Sequence, residues 1–273
     1  MSRIAARFEA LKAAKRKAFI PFISAGDPDG ATFASLLEGL VKAGADLIEI
    51  GMPFSDPVAD GPAIEAGNLR AFAAGITTEK IFSFVENFRK KDDQTPIVLM
   101  GYANPVYCRG AETFLARAKK AGVDGLIVAD LSPEEDGDLR TAAKAKGIDI
   151  IHLITPTTDE KRLATILEGA SGYLYTVSVA GTTGTKHAVV DDVRRAVTMI
   201  RDQSTLPIGV GFGISTPEEA HAMACVTDAV IVGSAIVRQI AEHVDAEGKA
   251  KEGLVPNVLA FVKTLADAVH RVS

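Results

Sequence analysis

The stretch "KAGADLIEIGMPFSDPVADGP", Lys42–Pro62, contains both the repeating unit of the chain and an anomaly within it. It opens as a helix tail ending in a basic residue. A glycine suited to a left-handed helix cap follows, and then an apolar strand. The same joint recurs as "KAGVDGLIVAD" from Lys120 and "KAKGIDIIHLI" from Lys144. Working outward from these joints gives strands over Ala18–Ser24, Asp46–Ile50, Pro96–Met100, Gly125–Ala129, Asp149–Ile154, Tyr173–Val177, Pro207–Val210 and Ala229–Val232. Nearly continuous Ile, Val and Leu within these runs indicate a sheet covered on both faces. Helical patterns lie between them: "ATFASLLEGLVKAG" after the first, "SPEE" with Ser132 as cap after the fourth, "TPEE" from Thr216 after the seventh. Alternating strands and helices with no linker predict one α/β domain over residues 1–273, a single (β/α)8 TIM barrel, rather than a doubly wound open sheet. Ile4, Phe8 and Leu11 share one face of an extra N-terminal helix, which reads as a packing element rather than a targeting segment. An extra C-terminal helix starts near Leu254, after the polar loop "HVDAEGKAKEG".

The anomaly is Glu49, a carboxylate inside an apolar strand. It alternates with Leu47, so both point into the barrel while Ile48 and Ile50 face the helices. Poor solvation there raises a carboxyl pKa and suits it to carrying a proton near neutrality. A salt-bridged Glu is the other reading, but no strand offers an inward basic partner. Asp60 follows eleven residues later in a Pro/Gly loop, close enough to fold back over the rim where barrel active sites lie. A turn or helix cap before Pro62 accounts for Asp60 equally well, and Asp56 leans to the turn. "GVGFGIS" (Gly209–Ser215), "VGSAIV" (Val232–Val237) and "VAGTTGTKH" (Val179–His187) place glycines at three neighbouring strand ends. Their backbone N–H groups, with a helix starting at Ser234, predict a phosphate site.

Other chemistries find little support. His152, His187, His221, His243 and His270 never fall in ligand spacing, so no metal is expected, and His152 reads as a hydrogen-bonded core residue. Cys108 and Cys225 are far apart, which fits a reducing cytoplasm. A net charge of −5 among 273 residues gives no cause to expect nucleic acid. No apolar run approaches the roughly 18 residues that span a bilayer, so no membrane is expected. What remains is proton transfer on a phosphorylated small molecule.

"PFISAGDP", "EIGMPFSDPVADGP", "YANPVY", "GFGIS" and "GSAIV", in this order, closely resemble the tryptophan synthase α subunit family from the first helix to the last. The resemblance implies retro-aldol cleavage of indole-3-glycerol phosphate to indole and glyceraldehyde 3-phosphate. By it, Glu49 is the acid–base carboxylate, Asp60 stabilises charge at the indole N–H, and Tyr175 stands near Glu49. Phe22, Met100, Ile127 and Ala129 form the indole pocket. Gly184, Gly213, Gly233 and Ser234 hold the phosphate, and Thr183 closes a loop onto Asp60. The implied partner is a β subunit in an αββα complex. Pyridoxal phosphate is expected only in that partner, and no cofactor in this chain. Pro53–Asp60, Asn104–Arg109 and Val179–His187 would face the partner. Val179 and Pro105 depart from the family's usual residues, in positions that bear on loop closure or docking. A standalone lyase releasing free indole, an idle regulatory subunit and another phosphosugar barrel are the alternatives. Retention of both Glu49 and Asp60 speaks against the idle subunit, and the Glu49–Pro62 loop against the other barrel.

Overall fold

A computed structural model describes residues 2–177, 186–211 and 213–272, the side chains of 186–189 excepted. Its strands are β1 (Ala18–Ser24), β2 (Ile48–Gly51), β3 (Ile97–Gly101), β4 (Gly125–Val128), β5 (Asp149–Ile150), β6 (His152–Ile154), β7 (Leu174–Val177), β8 (Ile208–Gly211) and β9 (Ala229–Val232). They pair in the order β5-β4-β3-β2-β1-β9-β8-β7-β6, every pair parallel. The predicted strand Asp149–Ile154 is β5 and β6 together. It pairs with β4 before Ile151 and with β7 after it, and this change of neighbour closes the sheet. The fold is therefore the expected (β/α)8 barrel with extra helices.

The helices are α1 (Arg3–Ala13), α2 (Gly30–Lys42), α3 (Pro62–Ala73), α4 (Thr78–Arg89), α5 (Ala103–Tyr107) and α6 (Ala111–Ala121). They continue as α7 (Gly137–Lys146), α8 (Glu160–Leu167), α9 (Lys186–Arg201), α10 (Pro217–Ala224), α11 (Ser234–Glu242) and α12 (Leu254–His270). The glycines of the repeated joint have φ of 106° (Gly44), 97° (Gly122) and 63° (Gly147), the left-handed backbone that ends each helix without a Cβ clash. At α10 the Thr216–Glu219 capping box forms as the spacing predicts. The "SPEE" segment does not start a helix. Residues 133–135 make a single turn, and α7 begins only after Asp136. Asp136, the residue before α7, lies 2.7 Å from His152 Nε2 and pairs with Arg140 Nε of the first helical turns at 2.5 Å. His152 thus faces the helices, its Nδ1 lying 2.7 Å from the Ile166 carbonyl oxygen.

The two strand faces build two cores. Ile48 and Ile50 join the outer layer between sheet and helices. Ala18, Ile20, Leu47, Val98, Ile127, Tyr173 and Ile231 fill the inside of the barrel. Ile4, Phe8 and Leu11 of α1 belong to this inner cluster, so the N-terminal helix plugs the barrel floor. Each such burial is worth about 1.5–3 kcal/mol relative to exposure. Ser2 Oγ to Asp149 and Arg3 Nη1 to Asp124, both 2.7 Å, fix the plug to the strand ends. Among the described residues no helix is long and apolar enough to cross a membrane.

Candidate active site

Glu49 lies on β2 beside Phe22 of β1 and Val98 of β3, and it is 0% exposed. The group that answers it is a phenol. The Tyr173 hydroxyl donates to Oε1, while Oε2 is buried with no hydrogen-bond partner among the described residues. Burial pushes this carboxyl from 4.5 up to about 8, against the opposing pull of the Tyr173 bond. At neutral pH the group is mainly protonated and able to give its proton away. Burial and the neighbouring Glu49 charge hold both Tyr173 and Tyr175 well above the usual phenol range, so both keep their hydrogens.

Asp60 is half-buried in the loop between β2 and α3, and Asn68 Nδ2 donates to its Oδ2 at 3.0 Å. Burial raises its pKa, and hydrogen bonds from Tyr102 and Asn68 work against that rise. Tyr102 also steadies the loop, its hydroxyl accepting from the Ala59 N–H at 3.1 Å. Asp60 is not a helix cap: Gly61 is the cap residue of α3, with no side-chain bond. Asp56 is exposed and bonded to Ser55 Oγ at 2.6 Å, as a turn residue would be.

Helix α3 therefore positions Asp60 through Asn68, and close by on the same helix it is clamped to the barrel. Arg70 Nε and Nη2 reach the two oxygens of Asp27 at 2.7 and 2.8 Å. Asp27, just beyond β1, is 0% exposed. Burial raises its pKa, and Arg70 lowers it. Gly67 permits this approach, because a Cβ there would stand 2.9 Å from Asp27 Oδ2.

The rim encloses a cleft of about 290 Å³. One end is apolar: Phe22, Met100, Ala129 and Leu153, with Asp60 beside them and the Tyr175 ring behind. Ile127 is not on this wall; it is 0% exposed in the inner core. Two aromatic rings are seated by missing side chains. A Cβ on Gly51 would come within 2.4 Å of Phe22 Cζ, and one on Gly211 within 2.1 Å of the Tyr175 hydroxyl. The other end is lined by Gly213, with φ of 76°, and by Gly233 and Ser234 at the start of α11. Gly233 caps that helix without a side-chain bond, leaving the positive end of the helix dipole facing the cleft. An apolar slot beside a carboxylate, with a buried acid on the strand next to Phe22 and glycine backbone with a helix start at the other end, suits a flat aromatic substrate that carries an anion.

The structure thus brings together Glu49, Asp60, Tyr175, Phe22, Met100, Ala129, Gly213, Gly233 and Ser234. Thr183, Gly184, Ser178 and nearly all of the Val179–His187 loop lie outside the described residues, as does Phe212. Sequence reasoning missed Tyr173, Asn68, Tyr102, Leu153 and Arg238. Tyr173 was within its reach, being two residues before Tyr175 and so on the same strand face. Among the described residues no group of three or more His, Cys, Asp or Glu could hold a metal ion.

A family model described as tryptophan synthase alpha chain matches residues 8–270. Among solved structures, the tryptophan synthase subunit alpha of Legionella pneumophila str. Paris is 39% identical, with 100% of each chain covered and a TM-score of 0.91. A chain of tryptophan synthase from M. tuberculosis, open form with BRD0059 bound, is 30% identical over 99% of each chain, TM-score 0.87. The aminoacrylate-bound form of that enzyme is 30% identical, covering 98% of this chain and 100% of the other, TM-score 0.85.

Proposed function

The chain belongs to the tryptophan synthase alpha chain family, and from that membership we propose how its residues carry out the family's reaction. It is a carbon–carbon lyase that cleaves indole-3-glycerol phosphate to indole and glyceraldehyde 3-phosphate, the α reaction of L-tryptophan biosynthesis. The observation that carries the residue assignment is Glu49, buried and mainly protonated on the strand position paired with Phe22, which lines the cleft.

The phosphate binds at Gly213, Gly233 and Ser234, and the indole ring lies between Phe22, Met100 and Ala129. Gly184 and Thr183 complete the phosphate site and the closure onto Asp60. Glu49 delivers its proton to indole C3. Positive charge then develops at the ring nitrogen, whose N–H faces the Asp60 carboxylate, and this interaction strengthens as the charge grows. Glu49, now a carboxylate, takes the proton of the hydroxyl on the carbon bonded to C3. The C3–carbon bond breaks, its electron pair restores the indole ring, and the hydroxyl oxygen becomes the aldehyde carbonyl. Glu49 ends as it began, so the cycle needs no cofactor in this chain. Tyr173 sets the position and acidity of Glu49, and Tyr175 shapes the wall beside it.

Indole passes to a β-subunit partner, which the tryptophan synthase neighbours support; release of free indole by an isolated chain is not favoured. The αββα stoichiometry, pyridoxal phosphate confined to the β subunit, and a cytoplasmic location complete the proposal. Val58, 84% exposed, and Tyr107, 40% exposed, lie on two of the segments expected to meet that partner. The test is indole release from indole-3-glycerol phosphate with and without a β subunit, for the natural chain and Glu49→Gln. The natural chain cleaves the substrate and is stimulated by the partner, while Glu49→Gln binds it without releasing indole. Full activity in Glu49→Gln would falsify the assignment.

A further inference from the structure

Arg238 stands on α11, four residues beyond Ser234, and lines the cleft together with Gly213, Gly233 and Ser234. Residues four apart on a helix share a face, so the guanidinium and the start of α11 address the same space. Arg238 is exposed and is the only basic side chain among the described residues lining the cleft. No ion pair or side-chain hydrogen bond within the described residues engages it. The cleft carboxylate, Asp60, is answered instead by Asn68 and Tyr102, and Arg238 is not among the groups that influence its titration. The helix start itself has only neutral donors to offer, and two of its N–H groups, of Ile236 and Val237, are already bonded to the Gly233 carbonyl.

A phosphomonoester brings a charge of about −1.5 to −2 near neutral pH. Glycine N–H groups solvate it without neutralising it, whereas an unpaired guanidinium supplies both a countercharge and a planar fork of donors matched to phosphate oxygens. We propose that Arg238 is a further substrate-binding residue, closing on the substrate phosphate from the outer rim of the cleft. This rests on the reading of the glycine end as the phosphate end. Because the phosphate does not change in the reaction, the contact is equally strong before and during bond cleavage. It therefore acts on KM and not on kcat.

The test is steady-state cleavage of indole-3-glycerol phosphate by Arg238→Ala, Arg238→Glu, Arg238→Lys and Ser234→Asp, at low and high ionic strength. Arg238→Ala raises KM about tenfold with kcat nearly unchanged, the loss expected for a charge-assisted hydrogen bond. Arg238→Glu raises it further, Arg238→Lys restores much of it, and KM of Arg238→Ala responds less to salt than that of the natural chain. Inorganic phosphate, used as a competitive inhibitor, weakens in parallel. If Ser234→Asp raises KM while Arg238→Ala and Arg238→Glu stay within about twofold of the natural chain, well short of the loss expected for a charged contact, Arg238 is a solvated surface residue and the proposal is overturned. If Ser234→Asp leaves KM unchanged, the phosphate reading fails and the proposal with it.

Discussion

Replacing Glu49 with Gln keeps the size of the side chain and removes its titration, so the variant measures what a buried acid costs this fold. In the folded chain the carboxyl titrates at about 8 against an ordinary 4.5. Between those values the folded chain holds a proton that the unfolded chain has released. Stability contributed by the protonated group is complete below about 4.5 and is lost as pH rises toward about 8. The gap of about 3.5 pH units, at 1.36 kcal/mol each, amounts to about 5 kcal/mol. The amide that replaces the carboxyl carries no such penalty at any pH. The stability of Glu49→Gln relative to the natural chain therefore increases by about 3–4 kcal/mol between about pH 5 and about pH 8. Urea unfolding of both chains at both pH values reads this directly, because every other titrating group is common to the two and cancels. Indole release is lost in the variant throughout. A stability difference that stays constant with pH, or moves the opposite way, refutes the reasoning and leaves Glu49 an ordinary ionised carboxylate.

Tyr173→Phe removes the hydrogen bond that favours the Glu49 carboxylate. The descending limb of kcat against pH then moves up by about 1–2 pH units, the equivalent of a hydrogen bond to a charged group; a limb that stays put rejects the assignment of Tyr173. Asn68→Ala takes a donor from Asp60 and raises its pKa further, so the acid limb of kcat shifts to higher pH and kcat at neutral pH drops about tenfold. A pH-rate profile and a thermal melt of the same preparation separate this from loss of fold. Arg70→Ala leaves Asp27 buried and unpaired, at a cost of about 3–5 kcal/mol in urea unfolding at neutral pH. Asp27, already raised by burial, then titrates still higher, so the cost grows with rising pH; a flat profile would mean that the clamp contributes little.

The barrel was legible because its units are local. A helix tail, a left-handed glycine and an apolar strand recur within about ten residues, and each is fixed by its own backbone geometry. Strand alternation likewise settled that Glu49 and Leu47 face inward and that Ile48 and Ile50 do not. The bracketing of Glu49 by the loop that carries Asp60 could be read from eleven residues of chain. The resemblance then assigned roles, among them a pocket role for Ile127, which is buried in the inner core on the strand position paired with Met100.

What stayed hidden depends on which distant segments meet. Tyr173 is 124 positions from the carboxyl it serves, and Arg70 is 43 from Asp27. Asp136, just before α7, is met by His152 from 16 positions away, a contact that "SPEE" alone does not show. Arg238 reads as an ordinary surface arginine until closure of the sheet brings α11 beside the cleft. The sequence by itself determined the elements, their inward and outward faces, and the residue types able to move a proton or hold an anion, because periodicity and backbone preference act over a few residues. Only the tertiary structure decided the partners of those residues, because burial, hydrogen bonding and pKa depend on strands that become neighbours only when the barrel closes.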